Sequence, residues 1–170
     1  MKSLTVVIPF YNESRTLGEL VKQLSELPKG TFEQCIFVND GSTDASLEII
    51  SEALVSHPIP NKIVNKQNGG KASAIKEASS LLNTSHVVIL DADLELNTSD
   101  LTRLWEIVTS GQSEVVFGYR KFLAQSAFTY RYSRGNQILS RSSPPHQASR
   151  RTKESRNVHA THCGSHSSSR

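Results

Sequence analysis

The 170-residue sequence predicts an α/β fold built on a doubly wound, mainly parallel sheet. Short runs rich in Val and Ile alternate with segments of helical periodicity, the strands are almost continuously apolar, and polar motifs follow the strands directly. Sheets of this class bind ligands beyond the carboxyl ends of their strands. We therefore expect any functional site in the loops that follow the strands.

Five runs are predicted as strands, and an apolar helical stripe follows each of the first four. The strands are Leu4–Pro9, Gln34–Val38, Lys62–Asn65, His86–Leu90 and Glu114–Tyr119. The first helix has Ser14 as its expected cap, the second follows Asp44, and the third follows Gly70. The fourth carries Leu101 on its apolar face. A further helix is predicted over Ala127–Ser140, so the sheet should end at its fifth strand.

Composition divides the chain into a domain, residues 1–140, and a tail, residues 141–170. The tail holds six Lys or Arg and one acid, whereas the domain holds thirteen Lys or Arg and fifteen Asp or Glu. With eight serines, four histidines and few apolar residues, the tail cannot form a core, and we expect it to be disordered. The net positive charge therefore belongs to the tail, and no nucleic-acid-binding face is predicted on the domain.

The N-terminal apolar run is broken at Pro9 and is too short for a signal peptide or a membrane span. The two cysteines, Cys35 and Cys163, do not indicate a disulfide framework. We expect a cytoplasmic protein without a transmembrane segment, with association at the cytosolic face of a membrane left open.

The motif after the first strand is VVIPFYNE. Pro9 ends the strand's ladder and leaves Tyr11 and Glu13 at its tip, where the ring is suited to line a base pocket. The alternative is an ordinary strand-to-helix turn in which Asn12 or Ser14 caps the helix.

The motif after the second strand is NDGSTD. Asp40 is placed to accept hydrogen bonds from a nucleobase or a ribose, and Gly41 permits a tight turn. The alternative is a generic turn and helix cap.

The motif after the third strand is NGGKASA. Its glycines, Lys71 and a helix N-terminus together suit a phosphate. A P-loop is excluded, because Lys71 precedes Ala72 and position 65 is Asn rather than Gly. The alternative is a glycine turn that opens a helix.

The fourth strand leads into DADLE, which places Asp91 and Asp93 at the strand's end. Two nearby carboxylates repel each other unless a cation lies between them. Mg²⁺ and Mn²⁺ take oxygen ligands and commonly retain phosphate oxygens of a substrate, so a diphosphate is the expected partner. The alternative is a pair of solvated loop acids.

Two other classes of site also carry closely spaced acids like those of DADLE. An EF-hand is excluded, because Leu96 stands where its loop needs glycine. A haloacid-dehalogenase-type phosphatase would use Asp91 as its nucleophile. That family usually places its acid pair after the first strand, whereas this pair follows the fourth.

The fifth strand ends in VVFGYRK, where Arg120 is placed to bind a phosphate; the alternative is an ordinary surface arginine. In the tail, a zinc site would need a folded frame that the composition does not provide. Its candidate ligands are His159, His162, Cys163 and His166.

Together and in this order, the motifs resemble the family 2 inverting glycosyltransferases, especially the dolichyl- and polyprenyl-phosphate sugar synthases. The resemblance covers residues 4–140. It implies a type A glycosyltransferase fold, which is Rossmann-like, and a UDP- or GDP-sugar donor bound with Mg²⁺ or Mn²⁺. The implied acceptor is a polyprenyl phosphate or a glycan.

The resemblance also implies roles for individual residues. The implied nucleoside-binding residues are Pro9, Tyr11, Glu13 and Asp40. Asp91 would lie on the ribose and diphosphate side, and the implied metal ligands are Asp91, Asp93 and Glu95. Arg120 matches an arginine associated with the donor's phosphates, and Lys71 lies in a segment that borders the same cofactor site.

The stretch Tyr132–Ser140 still resembles the family, but the family's acceptor-side acid and the segment that follows it do not appear beyond it. The fold is therefore expected to be incomplete at the C-terminus, and we interpret the tail as a shifted reading frame, an aberrant splice or a gene fragment. Translation of the coding DNA in the other frames beyond Ser140 tests this. A non-catalytic nucleotide-binding fragment is the corresponding alternative to an active transferase.

Overall fold

The computed structural model describes residues 1–119 and 134–140. Within these ranges the chain forms six strands and four helices. The elements are β1 (Leu4–Phe10), α1 (Leu17–Ser25), β2 (Gln34–Asn39), α2 (Ser46–Ser56), β3 (Asn61–Asn65), α3 (Lys71–Ser79), β4 (His86–Ile89), α4 (Ser99–Thr109), β5 (Val116–Tyr119) and β6 (Arg134–Ser140).

The strands form one sheet in the order β3-β2-β1-β4-β6-β5. Neighbouring strands from β3 to β4 are parallel, whereas β6 is antiparallel to both β4 and β5. All seven residues of β1 are buried, as expected for a central strand covered on both faces. The predicted α/β fold with a doubly wound, mainly parallel sheet is confirmed.

The helices cover both faces of the sheet. On one face, α1, α2 and α4 pack in a single cluster, to which α1 contributes Leu17, Leu20, Val21 and Leu24. On the other face, Ala74 and Ala78 of α3 pack on Val7 and Ile36. Their small side chains let α3 lie close to the sheet. None of the four described helices has the length and apolar character that crossing a membrane requires.

The winding reverses between β1 and β4. From β1 the chain moves outward through β2 to β3, and the connecting helices α1 and α2 lie on one face of the sheet. It then crosses back to β4, on the other side of β1, through α3 on the opposite face. At such a point the loops after the two central strands diverge and leave a crevice at the carboxyl edge. The fold thus positions a site beside Phe10 and Leu90.

The helix predicted over Ala127–Ser140 is wrong for its described part. Residues 134–140 form β6, which lies between β4 and β5 and buries Ile138. The unpaired backbone edge of β4 outweighs the weak helical periodicity of the segment, because buried N–H and C=O groups need partners. Residues 127–133 lie outside the described part of the chain. The sheet therefore has a sixth strand beyond the predicted five, and its edges are β3 and β5.

The cap predicted for α1 is also wrong. Its N-cap residue is Thr16, whose side chain makes no capping bond, and the Ser14 N–H instead donates to Asp44 Oδ2. Ser14 therefore ties two loops together, a contact that the local sequence does not reveal.

Candidate functional site

A cleft of about 320 Å³ opens at the carboxyl edge of the sheet, next to the ends of β1 and β4. The segments that follow all four parallel strands contribute to it, the segment after β3 through the first residue of α3. The lining residues are Pro9, Phe10, Tyr11, Glu13, Asp40, Lys71, Asp91, Ala92 and Asp93. The separately predicted motifs thus meet in one place, and Tyr11 stands at the cleft with 46% of its surface exposed.

Among the predicted site residues that the structure describes, Glu95 is not part of the cleft lining. Glu95 lines a neighbouring depression together with Gln23 and Glu26. Arg120 lies outside the described residues, as do the candidate zinc ligands of the tail.

The loop after β1 is fastened to the loop after β2 by Asn12. Its backbone is left-handed, with φ 56°, a conformation that asparagine adopts more readily than most residues. In this conformation Asn12 Oδ1 accepts hydrogen bonds from the N–H groups of Thr43 (2.8 Å) and Asp44 (3.3 Å), and the Asn12 N–H donates to Ser42 Oγ at 3.0 Å. The position of Tyr11 and Glu13 therefore depends on the neighbouring loop.

Asp44 strengthens the same junction. Its Oδ1 accepts bonds from the N–H (3.0 Å) and the hydroxyl (2.5 Å) of Ser46, and its Oδ2 accepts one from the Ser14 N–H at 3.2 Å. Ser46 Oγ in turn accepts a bond from the Glu13 N–H at 2.8 Å. The hydrogen bonds from Ser46, followed by those from Ser14, lower the pKa of Asp44 to about 2.

Asp40 joins the loop after β2 to the loop after β3. It is 4% exposed, and its Oδ1 accepts bonds from Lys66 Nζ (2.5 Å) and the Gly69 N–H (3.0 Å). Its Oδ2 accepts one from the Gly70 N–H at 2.7 Å. Burial favours a higher pKa for this carboxyl, but the bonds from Lys66 and from the two glycine amides outweigh it and lower the pKa. Asp40 is therefore a buried carboxylate at the cleft.

Gly41 allows these two loops to approach. Its φ is +75°, and a Cβ on it would lie 2.7 Å from the backbone nitrogen of Asn68. Any side chain at this position would both strain the turn and push the loops apart. The glycine predicted for a tight turn thus has a second role in packing.

Lys71 and Asp91 meet across the cleft. Lys71 is the first residue of α3, and its Nζ donates to Asp91 Oδ1. The side chains are 55% and 42% exposed, so solvent screens the ion pair and its contribution to stability is small. Lys71, which is predicted to bind a phosphate, therefore contacts Asp91, which is predicted to bind the metal.

The loop after β4 turns sharply at Leu94. Its φ is 58°, which is rare for a branched side chain, and the Glu95 N–H donates to Asp93 Oδ1 at 3.0 Å. Because of this turn, the alternation of side chains along β4 does not continue to Glu95. Asp93 lines the cleft and Glu95 does not.

The carboxylates of the cleft fit a divalent cation that arrives with a substrate. Among the side chains that the structure describes, no three His, Cys, Asp or Glu residues are grouped closely enough to hold a metal ion. Asp91 and Asp93 nevertheless both line the cleft. Mg²⁺ is commonly held by one or two carboxylates, with water and substrate phosphates completing its coordination. The donor set therefore suits Mg²⁺ or Mn²⁺ bound with a diphosphate.

Sequence reasoning missed three side chains that shape the cleft: Asn12 as an inter-loop anchor, Asp44 and Lys66. An asparagine two residues beyond the end of an apolar strand is a signal for Asn12. The partner of Asp40 carries no such signal, because Lys66 is 26 residues away and adjacent only through the pairing of β2 with β3.

Comparison with known proteins places the chain among glycosyltransferases. The family model described as glycosyl transferase family 2 matches residues 5–168. That match extends into residues 141–168, which composition set apart and which lie outside the described part of the chain.

Two curated relatives are similar to the chain. The undecaprenyl-phosphate 4-deoxy-4-formamido-L-arabinose transferase of Edwardsiella ictaluri is 34% identical over 135 residues, which cover 77% of this chain and 41% of that protein. The uncharacterized glycosyltransferase YkcC of Bacillus subtilis is 34% identical over 93 residues, covering 54% and 29% respectively. The chain thus spans less than half the length of these relatives.

Two solved structures share the fold. S. aureus TarS in complex with UDP-GlcNAc gives a TM-score of 0.61 at 25% identity, over 76% of this chain and 37% of that chain. The mannosyltransferase PcManGT of Pyrobaculum calidifontis, in complex with GDP-Man and Mn²⁺, gives 0.61 at 24% identity, over 69% and 35%. The type A glycosyltransferase fold implied by the motifs is confirmed.

Proposed function

The chain belongs to glycosyl transferase family 2, and from this premise we propose that its cleft binds a UDP- or GDP-sugar with Mg²⁺ or Mn²⁺ for inverting transfer of the sugar to an acceptor. The observation that carries the proposal is the convergence of four predicted motifs on one cleft at the point where the winding of the sheet reverses.

The nucleoside half of the proposed site lies on the side of β1 and β2. Tyr11 offers an exposed ring against which a base can stack, and Asp40 offers an oriented, ionised carboxylate that accepts N–H donors from the base. Pro9 and Glu13 complete this part of the lining. An aromatic ring and a fixed acceptor that line one cleft suit the recognition of a nucleobase.

The diphosphate half of the proposed site is formed by the N-terminus of α3 and the loop after β4. The N-terminus of α3 and the ammonium of Lys71 provide positive charge for phosphate oxygens, while Asp91 and Asp93 provide oxygen ligands for the cation. When bound, the metal ion would neutralise the charge of the departing nucleoside diphosphate. Arg120 is proposed as a further phosphate ligand on the resemblance alone.

The acceptor is proposed to be a polyprenyl phosphate ahead of a glycan. The relative from Edwardsiella ictaluri carries undecaprenyl phosphate in its name, which supports a lipid-linked phosphate. Such an acceptor is already anionic and attacks the anomeric carbon without a strong general base, whereas a hydroxyl acceptor needs an Asp or Glu beside the attacking oxygen. The reaction would then take place at the cytosolic face of a membrane.

Calorimetric titration of the full chain with UDP and with GDP, each with and without Mn²⁺, tests donor binding. We expect metal-dependent binding that Asp93→Asn weakens at least about tenfold, since a carboxamide is a poor replacement for a carboxylate ligand. Glu95→Gln, in the neighbouring depression, should change the affinity less than about threefold. The same holds for Asp100→Asn, an exposed acid in the first turn of α4.

Absence of binding by both nucleotides would contradict the proposal, and equal binding with and without Mn²⁺ would contradict its cation. The same samples test the phosphatase alternative. Asp91 would instead be a nucleophile if the wild type hydrolysed p-nitrophenyl phosphate, Asp91→Asn abolished this hydrolysis, and neither protein bound a nucleotide.

A further inference from the structure

The largely buried Lys66 side chain occupies part of the Asp40 carboxylate. Lys66 lies directly after β3, its side chain is 16% exposed, and its Nζ donates to both Asp40 Oδ1 and the Gln67 carbonyl oxygen. The Gly69 N–H donates to the same Oδ1. Within residues 1–119 and 134–140, Oδ1 thus accepts two hydrogen bonds, whereas Oδ2 accepts one, from the Gly70 N–H.

This difference between Oδ1 and Oδ2 limits how many further hydrogen bonds the Asp40 carboxylate can accept. Each carboxylate oxygen has two lone-pair positions. Donors from the described part of the chain therefore fill both positions on Oδ1 and one of the two on Oδ2 of Asp40, a residue that lines the cleft. In addition, the Lys66 ammonium beside Oδ1 repels an approaching amino group and attracts a carbonyl oxygen.

Resting on the proposed function, we infer that Lys66 is a specificity-determining residue that makes the site prefer uracil over guanine. Uracil presents a single ring N–H flanked by two carbonyl oxygens, which matches one free acceptor position beside an ammonium. Guanine presents two adjacent donors, its ring N–H and its 2-amino group, and the second would meet the filled Oδ1. Cytosine presents a ring nitrogen that accepts, so it repels the carboxylate.

Calorimetric titration of the wild-type chain with UDP, IDP, GDP and CDP, at one Mn²⁺ concentration, tests the base preference. Hypoxanthine has the ring size of guanine and its ring N–H but lacks the 2-amino group. We expect UDP and IDP each to bind at least about tenfold more tightly than GDP, because an unpaired buried donor costs about this factor. GDP binding as tightly as IDP would overturn the inference while leaving the proposed function intact. No binding by any nucleotide would overturn both.

Substitution of Lys66 tests the cause directly. In Lys66→Met, a lone-pair position on Oδ1 is freed and the ammonium is removed, so the ratio of IDP to GDP affinity should approach one. Lys66→Arg, which keeps the donor and the charge, should retain most of the preference. Lys62→Met is the matched control, because Lys62 is an exposed lysine of β3, and it should leave the ratio unchanged. A folded Lys66→Met protein with an unchanged ratio would overturn the inference, and if that variant does not fold, the nucleotide series on the wild type decides.

Discussion

The two sides of the cleft differ in how far the protein itself compensates their charge. On the side of β1, β2 and β3, Asp40 and Asp44 each accept three hydrogen bonds from described groups of the protein. On the side of β4, Asp91 meets Lys71 in a solvent-exposed ion pair, and Asp93 accepts a bond from the neighbouring Glu95 N–H. The first side is organised before any ligand arrives, whereas the second leaves its charges for a ligand to complete.

This comparison separates stability from binding. Substitutions on the organised side should reduce both, because they break contacts between loops. Substitutions on the β4 side should reduce ligand binding and leave the free energy of unfolding nearly unchanged, since exposed ion pairs contribute little.

The largest effect is expected for Asp40→Ala. It leaves the largely buried Lys66 ammonium and two backbone N–H groups without their acceptor, which should lower the free energy of unfolding by about 3 kcal/mol. Asp93→Ala, on the other side, should change it by less than about 0.5 kcal/mol. Urea denaturation of both variants measures the difference. Equal losses would show that the two sides are alike.

The next largest effect is expected for Asn12→Ala. The variant loses the side-chain acceptor that joins the two loops. It also holds alanine at φ 56°, a strained conformation for a residue whose side chain makes no hydrogen bond. Together these effects should lower the free energy of unfolding by about 2 kcal/mol. Asn12→Gly relieves the backbone strain but not the lost bonds, so it should recover about 1 kcal/mol of that cost. If Gly and Ala are equally destabilising in thermal melts, the backbone conformation is not what selects asparagine here.

The organised side should also respond to acid. The pKa of Asp44 is lowered to about 2 in the folded chain, against about 3.9 for an unperturbed Asp, so the unfolded state binds more protons between these values. The stabilising contribution is present above pH 4 and is lost as the pH falls toward 2; the lowered pKa of Asp40 acts in the same direction. Asp44→Asn should flatten the dependence of denaturation on pH in this window, whereas Asp100→Asn should retain it.

The smallest effect on stability is expected for Lys71→Met, at most about 0.5 kcal/mol. Its effects on binding should have opposite signs. Removing the ammonium from Asp91 should strengthen the binding of Mn²⁺ alone severalfold, and removing a phosphate partner should weaken the binding of UDP without metal. Electron paramagnetic resonance of Mn²⁺ and calorimetry measure the two. If both affinities fall, the ion pair supports the loop and does not compete with the metal.

Much of the fold could be predicted because central parallel strands are buried on both faces and therefore appear in the sequence as continuous apolar runs. The strand predicted over Gln34–Val38 extends to Asn39, and Asp91 and Asp93 follow their strand as expected. What could not be predicted depends on partners distant in sequence or on single backbone angles. β6 forms by pairing with β4, which is distant in sequence, so the residues of β6 alone do not predict it. Glu95 does not line the cleft because the positive φ of Leu94 turns the chain.

The position of β6 also affects how the chain reaches this structure. The described strand that comes last in the sequence lies inside the sheet, between two strands made earlier. Until residues 134–140 are free to pair, β4 has an open edge and β5 lacks the strand with which it pairs. An open edge readily pairs with a strand of another chain. The nascent protein is therefore most exposed to intermolecular association immediately before residues 134–140 emerge, and chaperone binding in that interval would protect it.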